Sequence, residues 1–307
     1  MKEENFILSC VGDKDISEHF LSEIKKLLKE HHLTLIEIEK LTNLSNLALD
    51  LKLSSTHPID HEKLKIEFIE ISNRFQIDMA LMEDNFSKRN RKLIVFDMDS
   101  TLIQAEVIDE MAALYGVGDQ VKKITERAMN GELDFDQSLK ERVALLKGLS
   151  KKEMEGIFHR LPLTPGAKKL IHTVKGMGYK TAIVSGGFRY FTESLKNKLG
   201  IDYAFGNELE FENDLLTGKV KGEIINAHKK AEILEELAKR ENLSLDQVVA
   251  VGDGANDLLM LAKAGLGIAY HAKEKVRKEA KHRVNYGPLT TILYFLGISG
   301  DHLDETL

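Results

Sequence analysis

Apolar positions along the chain follow two regimes that meet near residue 90. Before that point they alternate over short runs or recur at three- and four-residue spacing. This predicts strands over residues 5–11, 33–41, 46–53 and 75–82, and helices over 16–31 and 60–74. The order β-α-β-β-α-β is that of a ferredoxin-like split βαβ sandwich of about 80 residues. After that point, wholly apolar runs stand between helical stretches: LIVF at 93–96, TAIV at 181–184, VVAV at 248–251 and LGIA at 266–269. Strands buried on both faces of a parallel sheet read in this way. The polar, charged segment EDNFSKRNRK, 83–92, is the seam between a domain over 1–82 and a second over 93–307. In the second domain, residues 103–165 read as mostly helical and are too many for a plain loop. Residues 207–222 read as a hairpin turning near Asn213-Asp214, to which no chemistry is assigned, and the acidic tail SGDHLDETL reads as frayed.

Composition narrows the setting. The 307 residues are 43% hydrophobic and 30% charged, as in an ordinary globular chain of two or three domains. A single cysteine, Cys10, excludes an internal disulfide and a multi-cysteine zinc site, so a reducing cytoplasmic compartment is expected. The opening MKEENFILSC lacks the apolar core of a signal peptide, and no stretch reaches the ~18 apolar residues of a membrane span; neither export by that route nor a membrane partner is expected. The net charge of −6, with Lys and Arg spread through the chain, argues against nucleic acid as a partner. An anionic substrate would have to be held by local cations.

Chemistry gathers where the apolar runs end. VFDMDSTL, 95–102, closes one strand with Asp97 and Asp99; a second ends in Ser185, Gly186 and Gly187; a third runs into GDGAND, which carries Asp253, Asn256 and Asp257. In open α/β sheets such turns converge outside the carboxyl ends of the strands. Crowded carboxylates repel unless a cation or proton offsets them, and an all-oxygen cluster suits a hard divalent ion, usually Mg²⁺ when it is shared with a phosphate. Ser185-Gly186-Gly187 offers a hydroxyl and backbone N–H groups at a helix start, an anion cradle, while Lys229 and Lys230 in HKKAEIL are equal candidates for the counter-charge. No G-x-x-x-x-G-K-[ST] loop and no G-x-G-x-x-G after a strand is present, so nucleotide readings lack their phosphate loops. His57 and His61 are four residues apart, but Pro58 between them suits a helix start better than a metal site.

These motifs, in this order and spacing, resemble the haloacid-dehalogenase-like phosphatase superfamily. VFDMDSTLIQAEVIDEMA, ITERAMNGELDFDQSLKERVALLKGL, AIVSGGF and VGDGANDLLML are similar to phosphoserine phosphatases over roughly residues 92–290. The resemblance implies an α/β fold: a Rossmann-like parallel sheet core with a small helical cap over about 103–165. It selects Lys230 over Lys229. It implies that Asp97 attacks phosphorus and that Asp99 serves as acid and then base. Mg²⁺ would be held by Asp97, the Asp99 carbonyl and Asp253, with Asp257 and Asn256 in support, and the phosphate by Ser185, Gly186 and Lys230. Glu106 would receive the substrate ammonium and Arg142 its carboxylate, with Phe135 and Met129 as apolar cap positions beside the pocket. The implied reaction is hydrolysis of O-phospho-L-serine, closing serine biosynthesis. Phosphotransfer to another hydroxyl acceptor such as homoserine is the alternative. The N-terminal segment resembles ACT domains in its element order and its Gly12-Asp13 turn, which implies either an amino-acid effector site or packing and homodimer contacts alone.

Overall fold

The computed structural model describes residues 3–42, 47–84 and 90–299; half of the predicted linker and nearly all of the acidic tail lie outside the described residues. Strands β1 (Glu4–Val11), β2 (Thr34–Lys40), β3 (Ala48–Ser55) and β4 (Asp78–Glu83) form an antiparallel sheet in the order β2-β3-β1-β4. Helices α1 (Glu18–Glu30) and α2 (His61–Phe75) supply its crossovers. Each helix begins where a side chain satisfies a free backbone donor: Ser17 accepts from the Phe20 N–H and Asp60 from the Lys63 N–H. The second helix therefore starts at Asp60, and Pro58 lies ahead of it rather than in its first turn. Alternation along the strands sends Phe6, Leu8, Leu49, Leu51 and Leu53 against Phe20, Ile24, Leu28 and Phe68 of the helices. Cys10 lies in this core, and burial pushes its thiol pKa far up, so it is an inert apolar residue.

The other face of this sheet is covered in part, at β1, β3 and β4, while β2 is largely exposed. Val11, Ala48 and Ala80 join the core of the second domain. Asp78 accepts from the backbone N–H groups of Asn285 at 2.7 Å and Gly287 at 2.9 Å. Burial pushes His282 down to about 4, so its neutral ring has a proton at Nε2 to donate to the Leu81 carbonyl, 2.9 Å away.

The second sheet has the order β11-β10-β9-β5-β6-β7-β8, parallel except for its last pair. Its strands are β5 (Leu93–Phe96), β6 (Lys180–Phe188), β7 (Tyr203–Glu212), β8 (Leu215–Lys221), β9 (Val248–Gly252), β10 (Leu266–Tyr270) and β11 (His282–Val284). The predicted hairpin is thus the sheet's outer edge, turning through left-handed Asn213 and Asp214. From β5 the chain builds outward through β6 to β8 and then returns to lay β9 on the other side of β5. The switch point lies between β5 and β9, and ligands bind at such a crevice.

Between β5 and β6 run α3 (Val107–Tyr115), α4 (Gly118–Met129), α5 (Phe135–Ala144) and α6 (Lys151–Arg160), followed by α7 (Ala167–Gly176). The first four form the expected helical cap, since its entering and leaving segments pair: Thr164 N–H donates to Leu102 and Gln104 N–H to Pro162. Helices α8 (Arg189–Leu199), α9 (Ala227–Arg240), α10 (Leu258–Lys263), α11 (Glu274–Glu279) and α12 (Thr291–Phe295) complete the domain. Among the described residues no helix is long and apolar enough to cross a membrane.

One buried carboxylate on the covered face of the first sheet gives a stability prediction. Asp50 is opposite Ser9, whose hydroxyl donates to it at 2.6 Å; burial pushes Asp50 up to about 6, Glu39 adding and Ser9 opposing. The folded state holds this proton more tightly than the unfolded chain. Its contribution is therefore complete below the ordinary value of 3.8 and is lost as pH rises through about 6. Denaturant titrations of wild type and Asp50→Asn should converge at pH 4 and diverge by pH 7, with the variant the more stable there; a constant difference across that range contradicts this assignment.

Candidate active site

The site is built at the switch point. The Asp97 N–H donates to the Val251 carbonyl at 2.9 Å, setting the end of β5 level with that of β9. Asp97 Oδ1 accepts from the Met98 N–H at 2.7 Å and from Lys230 Nζ at 2.9 Å. These two bonds fix one oxygen of the carboxylate, and Oδ2 has no protein partner among the described residues. Lys230 is fully buried near the start of α9 and also binds Asp257 Oδ1 at 2.7 Å. Asp257 in turn accepts the Gly254 N–H at 2.9 Å. It lies so close to the strand that a Cβ on Gly252 would stand 2.4 Å from its carboxyl carbon; only glycine fits there. Lys229, by contrast, pairs with Glu223 and Glu232 at the surface. Asn226 caps α9 and fixes its register, which turns Lys230 inward and Lys229 out.

Asp97, Asp253 and Asp257 bring carboxylate oxygens within 4.8 Å of one another, all buried. Burial and the neighbouring Asp257 raise Asp97 to about 8 against the pull of Lys230, and burial with Asp257 and Glu106 raises Asp253 to about 7. For Lys230 burial opposes the charged form, but Asp257 and Asp97 outweigh it and keep the ammonium protonated. Three carboxylates against one ammonium leave a negative excess, and an all-oxygen donor set of this kind fits a hard divalent cation.

Asp99 is half-buried beside this cluster. Its Oδ1 accepts from the Val107 N–H at 3.1 Å, and its Oδ2 lies 2.6 Å from where a Cβ on Gly187 would stand, so a side chain there would displace the Asp99 carboxylate. Burial, then Glu106 and Asp97, hold its pKa well above the ordinary carboxylate value. Ser185 is buried, its Oγ accepting the Gly187 N–H at 2.8 Å. The expected helix start at this turn is not observed. The strand runs on to Phe188 with an irregularity after Val184, and α8 begins at Arg189. The turn is therefore a distorted strand end just ahead of the helix, with the Gly187 N–H turned onto Ser185 Oγ. Asn256 is half-buried with its Oδ1 against Gly254.

From the cap, Phe135 lies directly over Gly186: its ring edge would be 2.9 Å from a Cβ there. Glu106 is exposed at the head of α3 and accepts from the Ser100 hydroxyl at 2.7 Å. Arg142 is half-buried on α5, its Nε donating to the Ser138 carbonyl at 3.2 Å; burial lowers its pKa, opposed by Asp109 and Glu106, whose charges it therefore faces. Met129 departs from expectation. It is 74% exposed at the end of α4, where the chain turns away through left-handed Gly131, and it lines neither the pocket nor the cap core. His57 belongs to no metal cluster among the described residues and stacks instead on His32.

Two residues of the site carried no assignment in the sequence reading. Thr101 donates to Asp253 Oδ1 at 3.2 Å, and its only signal was adjacency to the paired aspartates. Asn207, inside the hairpin, is 1% exposed and makes two bonds, to Gly186 and Ile225. A polar residue at an inward position of a buried strand was the available signal.

Comparison with known proteins agrees with this geometry. The model of the haloacid dehalogenase-like hydrolase family matches residues 91–265. A phosphoserine phosphatase of Archaeoglobus fulgidus is 56% identical over 209 residues, 68% of this chain and 61% of its own length. One of Vibrio cholerae is 44% identical over 272 residues, covering 87% of this chain and 83% of that protein. The crystal structure of a HAD family hydrolase from Salmonella enterica serovar Typhi superposes with a TM-score of 0.81 at 33% identity, over 98% of this chain and all of that one. The chain thus spans about three fifths of the Archaeoglobus protein and most or all of the other two. It belongs to the phosphoserine phosphatase family of haloacid dehalogenase-like hydrolases.

Proposed function

We propose that this protein hydrolyses O-phospho-L-serine to L-serine and phosphate. The observation that carries this reading is the meeting of two sets of groups at one point. A buried carboxylate held by Lys230 lies at the sheet switch point, and a cap brings the opposite charges Glu106 and Arg142 to its edge. The first set suits a phosphoryl group, and the second suits an amino acid's ammonium and carboxylate.

In this reading Asp97 displaces the serine oxygen from phosphorus, forming an aspartyl-phosphate that splits one difficult displacement into two easier ones. Its fixed Oδ1 leaves little freedom to the attacking group, which lowers the entropic cost of reaction. Asp99, whose environment favours the protonated form, gives its proton to the departing serine oxygen and then takes one from the water that opens the intermediate. Ser185, the Gly186 N–H and Lys230 hold the equatorial phosphate oxygens. Asp97, the Asp99 carbonyl and Asp253 would hold Mg²⁺, which supplies charge neutralisation and orientation of the phosphate; Asp257 and Asn256 support this arrangement. Phe135 closes the phosphate turn from above and helps to exclude water.

The four-stranded module, residues 1–82, is read as a regulatory or dimer-forming ACT-like domain. Its element order supports this. So does the anchoring of the loop 285–287 by Asp78, which joins the module to the catalytic core.

Phosphate release from L-phosphoserine, with phosphothreonine and sugar phosphates alongside, should require Mg²⁺, stop with EDTA, and fall by on the order of 10⁴-fold or more in Asp97→Asn. Equal turnover of sugar phosphates would overturn the amino-acid specificity. Arg142→Ala should raise KM for phosphoserine by on the order of 10- to 100-fold with a smaller change in kcat, because it removes a charge-assisted contact to a non-reacting part of the substrate. An unchanged KM would remove Arg142 from substrate recognition.

A further inference from the structure

We infer that Asn207 is a positioning residue that sets the phosphate-binding turn and the Lys230 helix in register, and through them the affinity of the site for the phosphoryl group. The inference rests on reading Ser185–Gly187 as that turn. Asn207 is on β7, one strand removed from the chemistry, and its side-chain amide is bonded at both ends. Its Nδ2 donates to the Gly186 carbonyl at 2.8 Å, and its Oδ1 accepts from the Ile225 N–H at 2.8 Å.

The first bond orients a peptide plane. In a trans peptide the carbonyl of one residue and the N–H of the next point in opposite directions. Holding the Gly186 carbonyl toward β7 therefore directs the Gly187 N–H back to Ser185 Oγ, where it lies at 2.8 Å. Two glycines leave this turn with wide backbone freedom, and among the described residues Asn207 is the one side chain that binds the Gly186 carbonyl. Without Asn207, rotation of the 186–187 peptide would withdraw the Gly187 N–H from Ser185 Oγ, so the serine hydroxyl would lose the bond that orients it and the turn would lose its shape around the Gly186 N–H.

The second bond fixes the other side of the site. Ile225 immediately precedes Asn226, which caps α9, and Lys230 lies one turn beyond the cap. Asn226 Nδ2 also donates to Asp136 Oδ1 of the cap at 3.2 Å, next to the Phe135 that covers Gly186. One buried amide thus joins the turn, the lysine helix and the segment that meets the cap. The same hairpin reaches the cap again at its far end, where Leu216 exchanges backbone bonds with Gly148 and Leu149. A purely apolar residue at 207 could pack in the strand but would leave the Gly186 carbonyl and Ile225 N–H unpaired.

The test separates phosphate binding from amino-acid binding. In Asn207→Asp the acceptor for Ile225 is kept and the donor to Gly186 is lost; Asn207→Ser is too short for either bond and serves as the second variant. With Mg²⁺ present, calorimetric titration of inorganic phosphate should give a Kd weakened by about 10-fold or more in both variants, while inhibition by L-serine stays within about two-fold of wild type. On phosphoserine, kcat should fall by on the order of 10²-fold, the scale of a misplaced catalytic group. A role in folding alone would lower the active fraction without moving either constant. Unchanged phosphate affinity in the folded fraction of either variant overturns the inference. A wild-type protein that binds phosphate but does not turn over phosphoserine overturns the substrate reading and leaves the phosphate titration to decide the role of Asn207.

Discussion

A lysine ammonium with no solvent exposure is sustained only by the charges around it, and at Lys230 those charges are Asp97 and Asp257. Removing an ion from water costs several kcal/mol even after relaxation, about what a buried pair regains when its hydrogen bonds are complete. The ends of β5 and β9 and the first turn of α9 are consequently locked together, because displacing any one would strand a buried charge. The rest of the site follows from that lock. Gly252 has no side chain so that Asp257 can reach the lysine, and Asn226 caps the helix at the register that points residue 230 inward. Such a triad is a costly way to stabilise a fold. It is a good way to hold a carboxylate at one position and in one orientation, which is what a nucleophile requires.

Around this fixed centre the protein arranges less rigid parts. The cap is joined to the core by a short paired hinge at 102–104 and 162–164, by the Asn226–Asp136 bond and by the hairpin edge of the sheet. Glu106 is exposed and Arg142 half-buried, whereas Ser185 and Lys230 are buried. In the proposed reading the chemistry falls to strand ends and the selectivity to residues at the cap. The N-terminal sheet packs its own helices on one face and, at β1, β3 and β4, the second domain on the other, and Asp78 ties it to the loop that follows β11.

Much of this was legible in the sequence for identifiable reasons. Strands buried on both faces give unbroken apolar runs, so β5, β6, β9 and β10 could be placed to within a few residues, and the residues that follow β5, β6 and β9 meet at the candidate site. The order of the N-terminal elements was equally plain. What could not be read depends on contacts between distant segments. Lys229 and Lys230 are equivalent in sequence until the cap of α9 fixes which one faces inward. The extension of β6 through the phosphate turn comes from pairing with β7, which local propensity does not encode. Asn207 resembles any polar hairpin residue until its strand is seen to lie beside Gly186. Met129 showed the opposite error: an apolar residue in a helical segment suggests burial, but this one lies where α4 runs out into solvent.

The central claim is that Asp97, held by Lys230, is the atom's-length attacker of phosphorus. Mixing the enzyme with Mg²⁺ and ³²P-labelled phosphoserine, quenching in acid within milliseconds, and reducing the acyl phosphate with borohydride before mass spectrometry would locate the phosphorylated residue directly. The account predicts label that appears and decays at rates compatible with turnover, and homoserine at position 97 after reduction. Label at Ser185, or full turnover with no phosphoenzyme at any time, would contradict it.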